Sequence, residues 1–238
     1  METIEPRGVI VALSLDRDPV GVMELAEKLA PHVWGFKIHP STEIAFLGEG
    51  YDIVSFLKEL DTKIFFDGKY HDIPSEVAGW VRRDRERGID MVSVHASGGA
   101  AMMSLAADES GDMTVLAITV LTSINSHACK QFYGESDIAM KVGTFARFAF
   151  ESGCDGVVAS VHEAEFLTNK AGQHYPPIIV TPGIRPMNYG KSDDQERVAT
   201  PRMAREAGAS FIVVGRPIRN ANDPIEAAKH FSEAFLAL

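Results

Sequence analysis

The chain alternates eight short apolar runs with eight longer helical patterns, and this alternation predicts an α/β fold, a (β/α)8 TIM barrel. The runs are continuously apolar, which is typical of strands whose two faces are both covered in a parallel sheet. Eight strand–helix units also suit a chain of 238 residues, the usual size of such a barrel. No linker or shift of composition divides the sequence, so we expect a single domain over residues 1–238.

Each element is predicted from its apolar pattern and from the residues that bound it. The predicted strands are Val9–Leu15, Trp34–Ile38, Lys63–Phe66, Met91–His95, Thr114–Leu121, Gly156–Ala159, Ile178–Val180 and Phe211–Val214. The predicted helices are Pro19–Leu29, Tyr51–Leu60, Ile73–Arg87, Ala100–Ala107, Asp137–Glu151, His162–Lys170, Pro201–Ala207 and Pro224–Ala237. Asp18 before Pro19 indicates a helix start, while Gly88 and Gly208 indicate helix ends. A doubly wound open sheet is the alternative, but it usually has fewer strands, and the first strand here lacks a G-x-G-x-x-G turn.

Composition excludes several classes of function. The formal net charge of −10 argues against binding to nucleic acid or to an anionic membrane surface. No apolar stretch approaches the roughly 20 residues that span a bilayer, and the N-terminus has no basic region or cleavage site, so we expect a cytoplasmic protein. The two cysteines, Cys129 and Cys154, form neither a disulfide framework nor a metal-binding spacing.

The segment Asp67-Gly68-Lys69-Tyr70-His71-Asp72 directly follows the apolar run Thr62–Phe66. Because strand side chains repeat every two residues, we expect Asp67 and Lys69 to leave the strand end on the same side. Asp72 then falls at the start of the next helix, where an N-cap role is compatible with a functional one. Alternating charges this dense are costly to desolvate unless each supports the next, and such clusters concentrate where chemistry happens. A hairpin turn at Asp-Gly is disfavoured because a helical pattern follows.

Polar residues recur at the predicted carboxyl ends of the strands, where barrels of this kind carry their active sites. They are Asp16, Lys37, Asp67, Lys69, His95, Thr122, Ser123, Arg185, Gly215 and Arg216. Their recurrence at seven strand ends predicts one shared site. We expect His95 to be a hydrogen-bonded histidine at a strand end rather than a metal ligand.

The loops after the last two strands, Thr181–Arg185 and Val214–Ile218, predict a phosphate site. Gly183 and Gly215 allow close approach of backbone N–H groups, while Arg185 and Arg216 supply forked donors. Pro217 lies where a first helical turn would begin. Either motif alone could be an ordinary turn, whereas both on adjacent strands favour phosphate binding.

The stretch Arg185–Thr200 is long, polar and aperiodic. Such loops in compact domains are usually lids or binding loops, so we expect a closure over the ligand that includes Gln195. A plain surface loop is the alternative.

Taken in order, these motifs resemble the orotidine 5′-monophosphate decarboxylase family, and more its bacterial than its archaeal branch. They are Asp16, Lys37, FDGKYHDIPSEV (Phe66–Val77), VHASGG (Val94–Gly99), VLTS (Val120–Ser123), TPGIR (Thr181–Arg185), Gln195 and VVGRPI (Val213–Ile218). The resemblance covers essentially the whole chain. It implies a homodimer of barrels without metal or organic cofactor. It also implies conversion of orotidine 5′-monophosphate to uridine 5′-monophosphate and CO₂, the last step of pyrimidine biosynthesis.

The resemblance also assigns roles. It implies that Lys37, Asp67, Lys69 and Asp72 form a charged catalytic network, in which Lys69 donates the proton and Asp72 reaches into the neighbouring subunit's site. The implied substrate-binding residues are Asp16 and Lys37 at the ribose, Thr122 and Ser123 at the pyrimidine edge, Arg185, Gln195, Gly215 and Arg216 at the phosphate, and also Asp67 and Ile73. The family usually has Ala-Leu-Asp in its first strand, so Ser14 competes with Asp16 for the ribose position. We favour Asp16 because an acid is needed to accept from a ribose hydroxyl.

Three other functions remain open. Sugar-phosphate decarboxylases and aldolases resemble this chain in the D-x-K-x-x-D segment, but their second strand ends in an acid that binds Mg²⁺. The corresponding Lys37 here would repel a metal ion. A catalytically silent barrel that binds nucleotide phosphates is the second alternative, and the intact Asp67, Lys69 and Asp72 set argues against it. A phosphate-binding isomerase is the third, but the sequence offers no pair of bases suited to proton shuttling.

Overall fold

Eight parallel strands close into a barrel in chain order, which confirms the predicted TIM barrel. The structure, a computed structural model, describes residues 8–14, 18–170, 178–186 and 199–237. The strands are β1 (Gly8–Ala12), β2 (Gly35–Ile38), β3 (Lys63–Tyr70), β4 (Met91–His95), β5 (Thr114–Ile118), β6 (Gly156–Val158), β7 (Ile178–Thr181) and β8 (Phe211–Val214). The barrel closes where β1 pairs with β8, from Gly8 opposite Phe211 to Val11 opposite Val214. A single domain over all of residues 1–238 stays a prediction.

Helices follow the strands and cover the outside of the barrel. They are α1 (Pro19–Leu29), α2 (Pro40–Gly48), α3 (Ile53–Glu59), α4 (Pro74–Glu86), α5 (Ala100–Ser110), α6 (Ser126–Tyr133), α7 (Ile138–Glu151), α8 (Val161–Lys170), α9 (Pro201–Glu206), α10 (Arg216–Arg219) and α11 (Pro224–Leu236). The predicted start of α1 is confirmed, since the Asp18 carboxylate accepts from the Gly21 N–H at 2.9 Å. Gly88 and Gly208, at φ +75° and +90°, follow α4 and α9 as predicted. Within the described residues, none of these helices is long and apolar enough to cross a bilayer.

Two helices, α2 and α6, lie in stretches where no helix is predicted. Each of them nevertheless begins with residues that are typical of a helix start. Pro40 opens α2 after His39, whose Nδ1 accepts from the Ser41 N–H, and the Asn125 side chain caps α6. Strand β5 ends at Ile118, so the predicted end at Leu121 is wrong. Strand β1 ends at Ala12, so its predicted end at Leu15 is wrong as well. The remaining elements are confirmed with bounds that shift by up to a few residues.

The largest difference from the sequence prediction concerns β3, which continues to Tyr70 instead of ending at Phe66. Phe66 pairs with Val92 and Tyr70 with Val94. Three residues of β3, numbers 67–69, therefore stand opposite the single residue Ser93 of β4, which makes a bulge. The following helix begins at Pro74 with Ile73 as its N-cap, so the predicted start at Ile73 and the cap role of Asp72 are wrong.

Two apolar clusters hold the barrel together. The inner one fills the middle of the barrel with side chains from β1, β3, β4, β5, β7 and β8, among them Ile10, Phe65, Met91, Leu116, Val180 and Phe211. The outer one packs the other faces of the strands against the helices. Because the middle is filled, polar side chains at the carboxyl ends of the strands form a cavity above a closed apolar floor.

Candidate active site

A cavity of about 320 Å³ opens at the carboxyl ends of the strands. Its described wall residues come from seven of the eight strands or from the loops that follow them. They are Ala12, Lys37, Phe65, Asp67, Lys69, Ile118, Val120, Leu121, Thr122, Val158, Ala159, Ser160, Pro182, Gly183, Arg185, Val213, Gly215, Arg216 and Arg219.

One end of the cavity carries a buried carboxylate that binds two ammonium groups. Asp67 is 6% exposed. Its Oδ2 accepts from Lys37 Nζ at 2.8 Å and also from Lys69 Nζ. Its Oδ1 accepts from the Ser93 hydroxyl at 2.8 Å. Every hydrogen bond to this carboxylate therefore favours its charged form, and the two lysines are held close together in spite of their like charge.

Ser93 also fixes the backbone beneath Lys69. Its fully buried Oγ accepts from the Lys69 N–H at 3.0 Å while donating to Asp67. Lys69 itself has φ +49°, a left-handed conformation that costs a non-glycine residue on the order of 1–3 kcal/mol. One hydroxyl thus bridges the first and third residues of the bulge. The bulge aims both Asp67 and Lys69 into the cavity.

The environment shifts the protonation equilibria of this cluster. Burial by itself raises the pKa of Asp67, but the ammonium groups of Lys37 and Lys69 outweigh it and hold that pKa well below its usual range. Burial lowers the pKa of Lys69, and Lys37 adds to this effect against the opposing pull of Asp67. Burial, His71 and Lys69 together lower the pKa of His95 to about 4, so this imidazole is neutral near pH 7.

Three arginines in the segments after β7 and β8 also line the cavity, and β7 stands across the closed barrel from β3. Arg185 and Arg219 are 8% and 6% exposed. Arg185 Nη1 donates to the Ile184 carbonyl at 2.8 Å. Arg216 is the first residue of α10, and Gly215 is its N-cap, so the predicted helical turn after β8 is present. Among the described wall residues, five cations accompany one acid, although the whole chain carries a formal net charge of −10.

Between β3, which carries Asp67 and Lys69, and β7, the wall of the cavity is largely apolar. The apolar wall residues come from the adjacent strands β5 and β6 and the loops that follow them, where Ile118 pairs with Val158. They are Ile118, Val120, Leu121, Val158 and Ala159, together with Thr122. Such a slot suits a flat ring that carries anionic groups at its two ends. No group of three or more His, Cys, Asp or Glu side chains is placed to hold a metal ion within the part of the chain that the structure describes.

Comparison with known proteins supplies the family. The family model described as Orotidine 5'-phosphate decarboxylase / HUMPS family matches residues 9–231. The chain belongs to this family.

Similar proteins and solved structures match this chain over nearly its whole length. The orotidine 5'-phosphate decarboxylases of Moorella thermoacetica and Methylococcus capsulatus are each 38% identical to this chain, cover 93% of it, and are themselves covered to 89% and 88%. The crystal structure of the Lactobacillus acidophilus orotidine 5'-phosphate decarboxylase has a TM-score of 0.77 at 33% identity, over 97% of this chain and 99% of that one. The Methanocaldococcus jannaschii enzyme, solved with the inhibitor BMP, has a TM-score of 0.73 at 19% identity over 97% of this chain and 99% of that one, a likeness of fold alone.

The structure brings together most, but not all, of the residues predicted for a site of this family. Those that line the cavity are Lys37, Asp67, Lys69, Thr122, Arg185, Gly215 and Arg216. Ser123 is exposed and is not among the wall residues. Asp72 and Ile73 also lie outside the described wall; Asp72 is exposed and its Oδ1 accepts from the Ile73 N–H at 2.7 Å. Asp16 and Gln195 lie outside the described residues.

Two residues at the site escape sequence reasoning. Ser93 lies within a mostly apolar strand, and nothing in the neighbouring sequence indicates a functional role apart from its polar side chain. Arg219 lies three residues after Arg216, a spacing that places both side chains on one side of a helical turn, and this could have identified it. The side chains of Ser93 and Arg219 are both buried.

Proposed function

We propose that this chain decarboxylates orotidine 5′-monophosphate to uridine 5′-monophosphate and CO₂. The observation that carries the proposal is one cavity whose described wall carries Lys37, Asp67 and Lys69 from β2 and β3 and arginines 185, 216 and 219 from the segments after β7 and β8. The substrate bears a carboxylate on its ring and a phosphate at its far end, so its anionic groups match the two groups of cations. Relatives at 38% identity that bear this enzyme's name support the assignment.

In the proposed reaction, Lys69 acts first as a fixed charge and then as an acid. Breaking the bond between C6 and the carboxyl group leaves an electron pair in the ring plane, where the π-system cannot delocalise it. The Lys69 ammonium stabilises that pair and transfers a proton to C6, which forms the new C–H bond and leaves a neutral amine. The lowered pKa of Lys69 makes this transfer easier, while Lys37 and Ser93 hold Asp67 as an ionised, oriented partner. The effect requires no reorganisation, because the charges are positioned before the reaction.

The remaining predicted contacts extend this proposal over the rest of the substrate. Asp16 and Lys37 would bind the ribose hydroxyls, and Thr122 and Ser123 the pyrimidine edge. Gln195 would join the arginines at the phosphate. The phosphate contacts, which lie far from C6, supply binding energy that orders the site around the reacting carbon.

We further propose a homodimer in which Asp72 enters the partner's cavity. Asp72 lies three residues beyond Lys69 but does not line its own chain's cavity. Ile73 beside it is a large apolar side chain that is 61% exposed. Burial against a second copy would remove this exposed surface and add a second acid beside Lys69.

Lys37 disfavours a magnesium-dependent reaction. Its Nζ lies 2.8 Å from Asp67 Oδ2 and so occupies the space in which a cation would bind that carboxylate. A metal ion there would have to displace the ammonium group against charge repulsion.

The deciding experiment follows the loss of orotidylate absorbance with the purified full-length chain and no added metal. We expect decarboxylation in proportion to enzyme concentration, with one CO₂ trapped per uridylate formed and no effect of EDTA. Tight binding without CO₂ release would indicate a silent nucleotide-binding barrel. Loss of activity in EDTA that is restored by Mg²⁺ would indicate the metal-dependent alternative.

A further inference from the structure

Tyr70, the residue after Lys69, anchors the strand end from outside the cavity. Its hydroxyl donates to Asp84 Oδ2 of α4 at 2.6 Å. Its ring packs against those of Phe66 and Trp80, with centroids 6.4 and 5.1 Å apart. Burial raises the pKa of Tyr70 well above its ordinary value, so the phenol remains a donor at any working pH. The side chain is therefore fixed at both its ring and its hydroxyl.

The same ring covers the most flexible residue of the bulge. A β-carbon built on Gly68 would lie 2.7 Å from Cζ of Tyr70, closer than real β-carbons approach, so the ring rests directly on the Gly68 backbone. Glycine has the largest conformational freedom of any residue, and here it stands between Asp67 and the left-handed Lys69. Gly68 therefore does little to hold Lys69 in its strained conformation, and a restraint from a neighbouring side chain is needed.

Asp84 continues the connection toward the strand that carries Lys37. Asp84 is 1% exposed and lies 3.5 Å from Arg87 Nη1. Arg87 also pairs with Glu43 of α2, which is 7% exposed, and α2 directly follows β2. Buried charges of this kind are stable only as a complete set, since removal of one partner leaves the others desolvated. The chain of contacts thus links the helix after Lys37 to the strand end beneath Lys69.

We propose that Tyr70 is a positioning residue for the reaction: its hydroxyl, held by Asp84, and its ring, resting on Gly68, keep the Lys69 ammonium fixed on Asp67. Tyr70 is not among the described residues that line the cavity. Its role in catalysis rests on the proposed decarboxylation, whereas its restraint on the backbone does not. The two parts are therefore tested separately.

The kinetic test compares Tyr70→Phe, Asp84→Asn and Gly68→Ala with the wild type. Small displacements of a catalytic group cost up to about 100-fold in rate, and we expect kcat to fall roughly 10- to 100-fold in each variant. KM should change much less, because the arginines lie in the segments after β7 and β8, outside these contacts. The double variant Gly68→Ala/Tyr70→Phe should lose less than the product of its single losses, because both changes break one connection. Tyr51→Phe and Asp108→Asn, at exposed positions, are the matched controls and should keep wild-type kcat.

The structural test needs no turnover. In Tyr70→Phe we expect faster amide hydrogen exchange in peptides covering residues 67–70, with unchanged exchange in β5 and β6, and a shift of the Lys69 pKa measured by NMR of ¹⁵N-lysine. Faster exchange there in a chain that does not decarboxylate would uphold the restraint and reject the proposed reaction. Wild-type kcat together with wild-type exchange in Tyr70→Phe would overturn the positioning role. So would faster exchange throughout the barrel, since it would indicate a general loss of stability.

Discussion

Replacing Ser93 by alanine removes a single oxygen that holds both Asp67 and the backbone of Lys69. Ser93→Ala breaks a hydrogen bond to a carboxylate, worth roughly 1.5–3 kcal/mol, and leaves a buried N–H without that acceptor at a cost of roughly 1–3 kcal/mol. Ser93 is fully buried, so solvent screening does not reduce these values. Allowing for relaxation, we expect a loss of about 3 kcal/mol in the free energy of unfolding. In a chain of this size the loss corresponds to roughly 6–12 °C in Tm.

The assay combines denaturant unfolding with steady-state kinetics. We expect kcat to fall roughly 10- to 100-fold, because Lys69 is no longer held at a fixed distance from the reacting carbon. Ser110→Ala is the control: this buried hydroxyl donates to the Ala107 carbonyl at 2.8 Å in α5, so its loss should lower stability by about 1 kcal/mol and leave kcat unchanged. Ser93→Ala with wild-type stability and wild-type kcat would refute the bridging role of the hydroxyl.

Four further outcomes are expected. Lys69→Ala should abolish turnover while isothermal titration shows uridine 5′-monophosphate binding within a modest factor of wild type; retained turnover would exclude Lys69 as the acid. Because the pKa of Lys69 is lowered from 10.5 in the free enzyme and the reaction needs its protonated form, kcat/KM should fall as pH rises through that lowered value, and a flat kcat/KM profile up to pH 10.5 would contradict this assignment. Arg219→Met should weaken competitive inhibition by inorganic phosphate roughly 10- to 100-fold and raise KM more than it lowers kcat, whereas unchanged inhibition would place phosphate elsewhere. Ile73→Glu should convert the proposed dimer to a monomer in light scattering and lower kcat with it, since Asp72 would leave the partner's cavity; a dimer of unchanged stability would reject the proposed interface.

The barrel is predictable from the sequence because its signal is local. Runs of strand length that are mostly apolar, such as Met91–His95 and Phe211–Val214, match the structure residue for residue, because burial on both faces favours apolar residues at most positions. Helix starts marked by a cap and a proline, such as Asp18-Pro19, are equally reliable. Helix α2 has no clear apolar stripe, and α6 spans only eight residues, so neither gives a strong periodic signal in the sequence.

The site is predictable only in part, because the bulge depends on a distant contact. Acid, glycine and lysine have low strand propensity, so β3 is expected to end before Asp67. The strand continues to Tyr70 because Ser93, more than twenty positions later, satisfies both Asp67 and the Lys69 N–H. The expectation that Asp67 and Lys69 face one side is met, but by a bulge and a left-handed residue instead of regular alternation.

Because the cavity is cationic and the whole chain is acidic, kcat/KM should depend on ionic strength in an unusual way. An anionic substrate far from the protein meets a net repulsive field, and attraction prevails only within about one Debye length of the opening, about 10 Å at 0.1 M salt. Added salt therefore has two opposed effects: it screens the distant repulsion and speeds encounter, and it weakens the attraction at short range. We expect kcat/KM to pass through a maximum at intermediate salt, whereas an anion-binding cavity on a basic chain would show only a decline.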